Sequence, residues 1–224
     1  MQIDKIIRSN RKSIAIIIEK DGRLIVRAPK RASMRQINQL VRENISWIER
    51  TQQEARRKYR PTKPRQYLEG EQFHYLGIQY PLIYVNRTVP KLSLKRNFEL
   101  SKTSHNQAEG IFIEWYRKQA RIVFRDRADY FSSMFGFKYK GIRITSARKR
   151  WGSCNSRGGL NFPWRLVMAP MPVIDYVVVH ELVHTEIKDH SKVFWTRLKS
   201  LMPDYKDRVK WLKEYGFQLS LDGH

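Results

Sequence analysis

The run His180-Glu181-Leu182-Val183-His184 constrains the fold of this 224-residue chain more than any other stretch. Val177-Val178-Val179 immediately before it is β-branched, and propensity taken alone makes that run a strand. A strand would send His180 and Glu181 to opposite faces and hold His180 and His184 roughly 13 Å apart, too far for one small ion. A helix puts His180 and His184 on one face, one turn apart, where both imidazoles can grip the same metal. Glu181 then lies beside them, where its carboxylate can take a proton from metal-bound water. His190 offers a third neutral ligand and leaves the fourth tetrahedral position open, as catalytic zinc sites require. The spacing therefore predicts a buried helix starting near Pro172, with Glu181 as catalytic residue and His180, His184 and His190 as zinc ligands.

His190 has a second reading, as the cap of a helix beginning around Ser191 whose face includes Phe194, Trp195, Leu198 and Leu201. Glu186, Asp189, Asp204 and Glu214 are substitute ligands, because a carboxylate can complete a two-histidine zinc site. The spacing from His184 to His190 equals that of metzincin proteases, but Ile187 stands where they place a glycine. The chain must leave the helix by another route, expected at Lys188-Asp189. His74, His105 and His224 show no ligand spacing.

Charge is the second constraint. Lys and Arg number 44 against 21 Asp and Glu, a formal net charge of +23. Such a field attracts anions: nucleic acid or another polyanion, nucleotides, acidic peptides or an anionic membrane face. Arg148-Lys149-Arg150-Trp151-Gly152-Ser153-Cys154, with Arg143 before it and Arg157 and Arg165 after it, reads as a rim strand for an extended substrate or a basic lip for phosphate oxygens. Arg143, Arg148, Arg150, Trp151, Ser153 and Arg165 are the candidate substrate-binding residues. A packed Trp in a basic turn is the alternative. No RRM, KH or zinc-finger signature accompanies the charge.

Cys154 is the only cysteine, so no intramolecular disulfide is possible and a reducing, cytoplasmic setting is expected. It reads as a small buried thiol or, less simply, as a redox-sensitive ligand. The longest apolar run near the N-terminus, Ile14-Ala15-Ile16-Ile17-Ile18, is far too short to span a bilayer, so no membrane partner is expected.

Residues 1–65 read as a basic hairpin-and-helix module. Ser13 to Glu19 and Arg23 to Ala28 form a hairpin through Lys20-Asp21-Gly22, and one amphipathic helix runs from the N-cap Ser33 to about Lys58. Arg56 to Arg65 then reads as a helix end passing into a proline-marked connector. Residues 66–224 read as the catalytic domain, separate from the first module or compact with it. Strands are predicted at Phe73–Leu76, Gln79–Val85, Leu92–Leu94 and Phe98–Leu100, then a long helix over Ile111–Phe135. The alternating strand Ile142–Thr145 follows, then a turn-rich strand pair spanning Trp151 to Gly159.

Taken together, Arg150-Trp151-Gly152-Ser153-Cys154, Asn161-Phe162-Pro163-Trp164-Arg165-Leu166, the segment Val173 to His184, and His190-Ser191-Lys192-Val193-Phe194-Trp195 resemble the YgjP-like metallopeptidase family. That family is related to the SprT-like and WLM zincins. The likeness covers most of the chain and is strongest from Arg143 to Gly216. It implies a zincin-like α+β scaffold, with the HExxH helix packed on a small mixed or antiparallel sheet. It also implies zinc held by His180, His184 and His190, Glu181 as general base, and a cytoplasmic protein. The expected function is a zinc-dependent hydrolase of peptides or proteins. A metal-dependent nucleotide phosphohydrolase of the nucleoside triphosphate pyrophosphatase type is the second reading, and a basic nucleic-acid-binding module with a structural metal the third.

Overall fold

In the computed structural model, which describes residues 2–19, 21–58 and 64–221, the chain forms two compact units, Met1–Pro61 and Thr62–His224.

In the first unit, β2 (Ala15–Ile18) and β3 (Leu24–Pro29) pair antiparallel from Ala15↔Arg27 to Ile18↔Leu24, the hairpin expected there. Lys20 of its turn lies outside the described residues. A strand not foreseen, β1 (Lys5–Ser9), pairs parallel to β3 and makes it central. The sequence hides β1 because two isoleucines between charged residues carry little pattern; tertiary pairing decides it. Leu24, Val26 and Ala28 point from β3 into a core completed by Ile37, Val41 and Ile48.

The single helix expected from Ser33 to Lys58 is instead two, α1 (Met34–Glu43) and α2 (Ile45–Lys58). Ser33 caps the first as predicted, in a reciprocal capping box with Gln36. The break falls at Asn44, whose side-chain amide donates to the Leu40 carbonyl at 2.8 Å and whose backbone leaves the helical region at φ −109, ψ 15. A short amide competes with the backbone ladder for its own helix's carbonyls. The connector expected over Arg56 to Arg65 lies mostly outside the described residues.

The second unit opens with β4 (Gln72–Tyr75), β5 (Ile78–Val85), β6 (Leu92–Leu94) and β7 (Phe98–Ser101) in the order β4-β5-β7-β6. A 28-residue helix, α3 (Ala108–Phe135), crosses the unit, and Phe112, Tyr116, Ala120, Phe124 and Ala128 on it are fully buried. Phe73, Phe98, Phe112 and Tyr116 stack into an aromatic core reaching Trp164, so the aromatic stripe is packing. A second, mixed sheet follows, from β8 (Gly141–Thr145), β9 (Ser153–Cys154) and β10 (Gly159–Pro163). β10 is its centre, parallel to β8 and antiparallel to β9.

A 3₁₀ turn over Trp164–Met168 leads into α4 (Met171–Glu186), with Pro172 in its first turn. The β4–β5 turn straps this entry: the backbone N–H groups of Leu76 and Gly77 donate to the carbonyls of Val167 and Met168 at 3.0 and 3.1 Å. α5 (Lys192–Leu201) and α6 (Tyr205–Tyr215) complete the unit. Since α3, α5, α6 and β9 all touch α4, its apolar middle turns are covered on several sides. That cover overrides the β preference of Val177–Val179, of which none is more than 3% exposed. The architecture is α+β, as expected, and α4 touches β9 of the small mixed sheet.

Arg127 of α3 clamps Asp175 in the first turns of α4 through two bonds, Nε–Oδ1 at 2.6 Å and Nη2–Oδ2 at 3.0 Å. Both side chains are mostly covered, and the guanidinium also lies over the Tyr130 and Phe131 rings. Asp175→Asn keeps the shape but leaves the guanidinium without its charge partner. We expect it to lower unfolding free energy by about 2 kcal/mol in a urea titration. A change under about 0.5 kcal/mol would show that this clamp does not hold α4 in place.

Candidate metal centre

α4 presents His180 and His184 one turn apart near its C-terminal end, as an i, i+4 pair must. The helix ends at Glu186, and Ile187 turns extended at φ −115, ψ 110, slightly before the exit expected at Lys188-Asp189. Lys188 closes the helix end by donating from Nζ to the carbonyls of His184 and Thr185. The Asp189 carboxylate accepts from the Ser191 N–H at 3.1 Å, and Ser191 is the N-cap residue of α5. His190 is therefore not the cap. Its Nε2 lies 3.2 Å from Nε2 of His184 and 3.2 Å from Nε2 of His180.

Two nitrogens bound tetrahedrally at about 2.05 Å from zinc lie about 3.3 Å apart. The observed spacing matches that geometry. His184 Nδ1 donates to the Ile187 carbonyl at 2.9 Å, which fixes the tautomer and leaves Nε2 as a lone pair facing its partners. Burial, aided by the two neighbouring imidazoles, depresses the His180 pKa to about 3. Burial also lowers that of His184. Both effects favour the neutral imidazole that a metal requires. Among the described residues, these three histidines are the one group of three or more His, Cys, Asp or Glu side chains with converging ligand atoms. The carboxylates considered as substitutes are not in it; Asp204 pairs with Arg208, and Glu186 lies 3.8 Å from Arg197.

Phe194, fully buried, floors the cluster: its ring centroid lies 4.8, 4.5 and 4.9 Å from the rings of His180, His184 and His190. Trp195 walls the His190 side at 5.7 Å and is itself stacked on Tyr205. Sequence reasoning counted Phe194 and Trp195 as the face of a helix. The signal for more was their position four and five residues after His190, which brings them under its ring.

Glu181 is 5% exposed, and its carboxylate lies against the start of β9. The backbone N–H of Cys154 donates to it, while Oε2 has no hydrogen-bond partner. Desolvation raises its pKa to about 8, against the opposing pull of the Arg150 charge and the Cys154 N–H. Gly152 makes this approach possible, because a Cβ there would stand 2.6 Å from Glu181 Cγ and 2.7 Å from Cδ. The glycine was legible only as part of a turn.

Of the residues expected to bind substrate, Arg150 is exposed and acts on Glu181 through its charge. Ser153 lies on β9, with both its carbonyl and its hydroxyl reached by the Asn161 amide. Arg148 is exposed in the loop before β9. Arg143 is exposed on β8, across β10 from β9, so it stands on the far edge of the sheet. Trp151 is half-buried and packs tightly on Gly216, where a Cβ would be 2.7 Å from the indole. Arg165 is a correction: the expected rim arginine is buried, lies over the Trp164 ring and donates to the Ala147 carbonyl at 3.0 Å. It braces the basic loop from below. The Cys154 thiol is half-buried and pushed upward in pKa by burial, the state of an unreactive cysteine.

A comparison with curated proteins returned no match. Among solved structures, the crystal structure of the metallopeptidase zymogen of Pyrococcus abyssi abylysin aligns at 18% identity with a TM-score of 0.35, covering 38% of this chain and 90% of that one. A family model described as YgjP-like, metallopeptidase domain, matches residues 12–215. With that match running through nearly the whole sequence and over all three clustered histidines, the chain belongs to the YgjP-like metallopeptidase family.

Proposed function

We propose that the protein is a zinc-dependent peptidase in which His180, His184 and His190 hold the metal and Glu181 is the general base. The observation that carries this reading is the convergence of three imidazole Nε2 atoms next to a buried carboxylate that has one oxygen unpartnered. Zinc bound there would lower the pKa of a water ligand and polarise a substrate carbonyl. Glu181 accepts the proton at Oε2, the oxygen without a hydrogen-bond partner, and returns it to the leaving amine. In the metal-free protein its raised pKa keeps the carboxyl largely protonated at neutral pH, and the positive charge of a bound metal would favour the ionised form that accepts the proton.

Substrate enters as an extended chain beside the short strand β9, which pairs with β10 alone among the described residues and lies against Glu181. A peptide suits such a strand better than a nucleotide does. The basic lip that motivated the phosphohydrolase reading is dispersed, with Arg165 buried and Arg143 on the far strand. No described helix is long and apolar enough to cross a membrane, and the lone cysteine supports a cytoplasmic setting.

Glu181→Gln should retain the metal, measured by atomic absorption, and lose peptide turnover by roughly 100-fold or more. Unchanged turnover would remove Glu181 from the mechanism. Gly152→Ala should displace the carboxylate while sparing the three imidazoles, so turnover is expected to fall at unchanged metal content. Full activity would show that the close approach of Gly152 is dispensable.

Glu181 also predicts a pH dependence. Its folded-state pKa of about 8 exceeds the ordinary 4.5, so the folded protein keeps a proton that the unfolded chain gives up between those values. Stability of the metal-free protein should therefore fall as pH rises through that window, approaching about 1.4 kcal/mol per pH unit from this one group. Buried His180 and His184 act in the opposite sense, but only below their unfolded value of 6.5. Between pH 6.5 and 8, metal-free wild type should lose melting temperature relative to metal-free Glu181→Gln. A constant difference would show that the carboxyl is not held protonated.

A further inference from the structure

Beyond the end of α4 lies a cleft of about 440 Å³ that the reaction does not use. Lys138, Tyr139 and Lys140 line one wall, Arg157 and its turn another, and Thr185 and Lys188 the third. Its size is within the range of small-ligand sites. Four of the lining residues are cationic and none is acidic. Lys138, Lys140 and Arg157 take part in no ion pair among the described residues, unlike Arg127 or Arg197. Lys188 spends two donors on backbone carbonyls and keeps a third.

The walls are tied to one another before any ligand arrives. Lys140 N–H donates to the Gly158 carbonyl at 2.9 Å, and the Asn155 side chain accepts from the N–H groups of Arg157 and Gly159 at 3.0 and 2.9 Å. The cleft is also joined to the metal centre through the chain. Arg157 lies in the turn that continues β9, and Lys188 grips the carbonyl of His184. An extended substrate running along β9 past Glu181 reaches this turn at one end only.

We propose that the cleft is a subsite for an anionic side chain of the substrate, a carboxylate or a phosphoryl group, on one side of the scissile bond. The position along the substrate rests on the peptidase reading; the binding of the anion does not. Four cations around one cleft whose backbone walls are already tied together can give an anion several charge-assisted hydrogen bonds. The general field of a +23 chain attracts any acidic peptide, but it cannot distinguish one side of a bond from the other.

The test uses the zinc-loaded, full-length Glu181→Gln protein and fluorescence anisotropy with labelled peptides. In these peptides Asp, Glu or phosphoserine is moved through each position and compared with Asn, Gln or Ser. Acidic peptides should bind about tenfold tighter than their neutral counterparts, at positions on one side only. The preference should fall to near equality when Lys138→Gln, Lys140→Gln and Arg157→Gln are combined. All three side chains are exposed, and Lys188 is left in place because it closes α4. The ranking of Asp and Glu against phosphoserine identifies which anion the cleft takes. The proposal is overturned if no peptide binds, if the preference is the same at every position, or if it survives the triple substitution. It is also overturned if single-stranded DNA displaces the peptide and loses its own affinity in the triple variant, since the cleft would then read a nucleic-acid backbone. One-sided acidic binding without cleavage by the zinc-loaded wild type would uphold the subsite and remove the peptidase reading.

Discussion

The enclosure of α4 is the constraint on which the rest of the second unit depends. Val177, Val178, Val179, Leu182 and Val183 are essentially without solvent contact, covered by the helices and strand around α4. Such a segment can be a helix only if every side is covered, and then its backbone satisfies itself. The Arg127–Asp175 clamp fixes the entry of that helix, and the straps from Leu76 and Gly77 fix the chain leading into it. The same cover that permits the helix dries its functional end. His180 is driven toward the neutral form and Glu181 toward the protonated form by one cause, the loss of water around α4. Fold and reactivity therefore share a single physical origin here.

A dry helix end alone would give two imidazoles without a third. The link from Ile187 to Ser191 supplies it, because the extended Ile187 and the Asp189 turn redirect the chain within a few residues. Phe194 then serves two structures at once. It anchors α5 in the core and carries all three imidazoles on or around its ring. A ring in that position limits the orientations open to the imidazoles, the kind of preorganisation that a metal-binding cluster would need.

The parts of this arrangement legible in the sequence were those with a hard geometric requirement. Histidines at i and i+4 beside a glutamate have one useful backbone, and that requirement outweighed the strand preference of three consecutive valines. The long helix α3 was legible for a similar reason, since its apolar positions recur over many turns. What escaped was set by contacts between distant residues. β1 exists because β3 offers a partner, Asn44 breaks a helix through one side-chain bond, and Arg165 is buried because the Ala147 carbonyl and the Trp164 ring await it. Gly152 is the sharpest case. A missing side chain leaves no pattern to read, yet it admits the Glu181 carboxylate to the edge of β9.

The large positive charge also divides into parts with different physics. Near α4, several cations are committed to the fold: Arg127 to a carboxylate, Arg165 to a carbonyl, Lys188 to the helix end. Arg127 and Arg165 are spent within the fold and do not define a rim, whereas Lys188 keeps one donor toward the neighbouring cleft. Arg150 is exposed instead, and its charge is the main influence holding the Glu181 pKa below the value burial alone would set. Removing that guanidinium would shift the carboxyl further toward its protonated form without touching the imidazoles. Arg150 of the basic loop before β9 therefore has a local electrostatic target, the desolvated Glu181 carboxyl, besides its share in the general positive field of the chain.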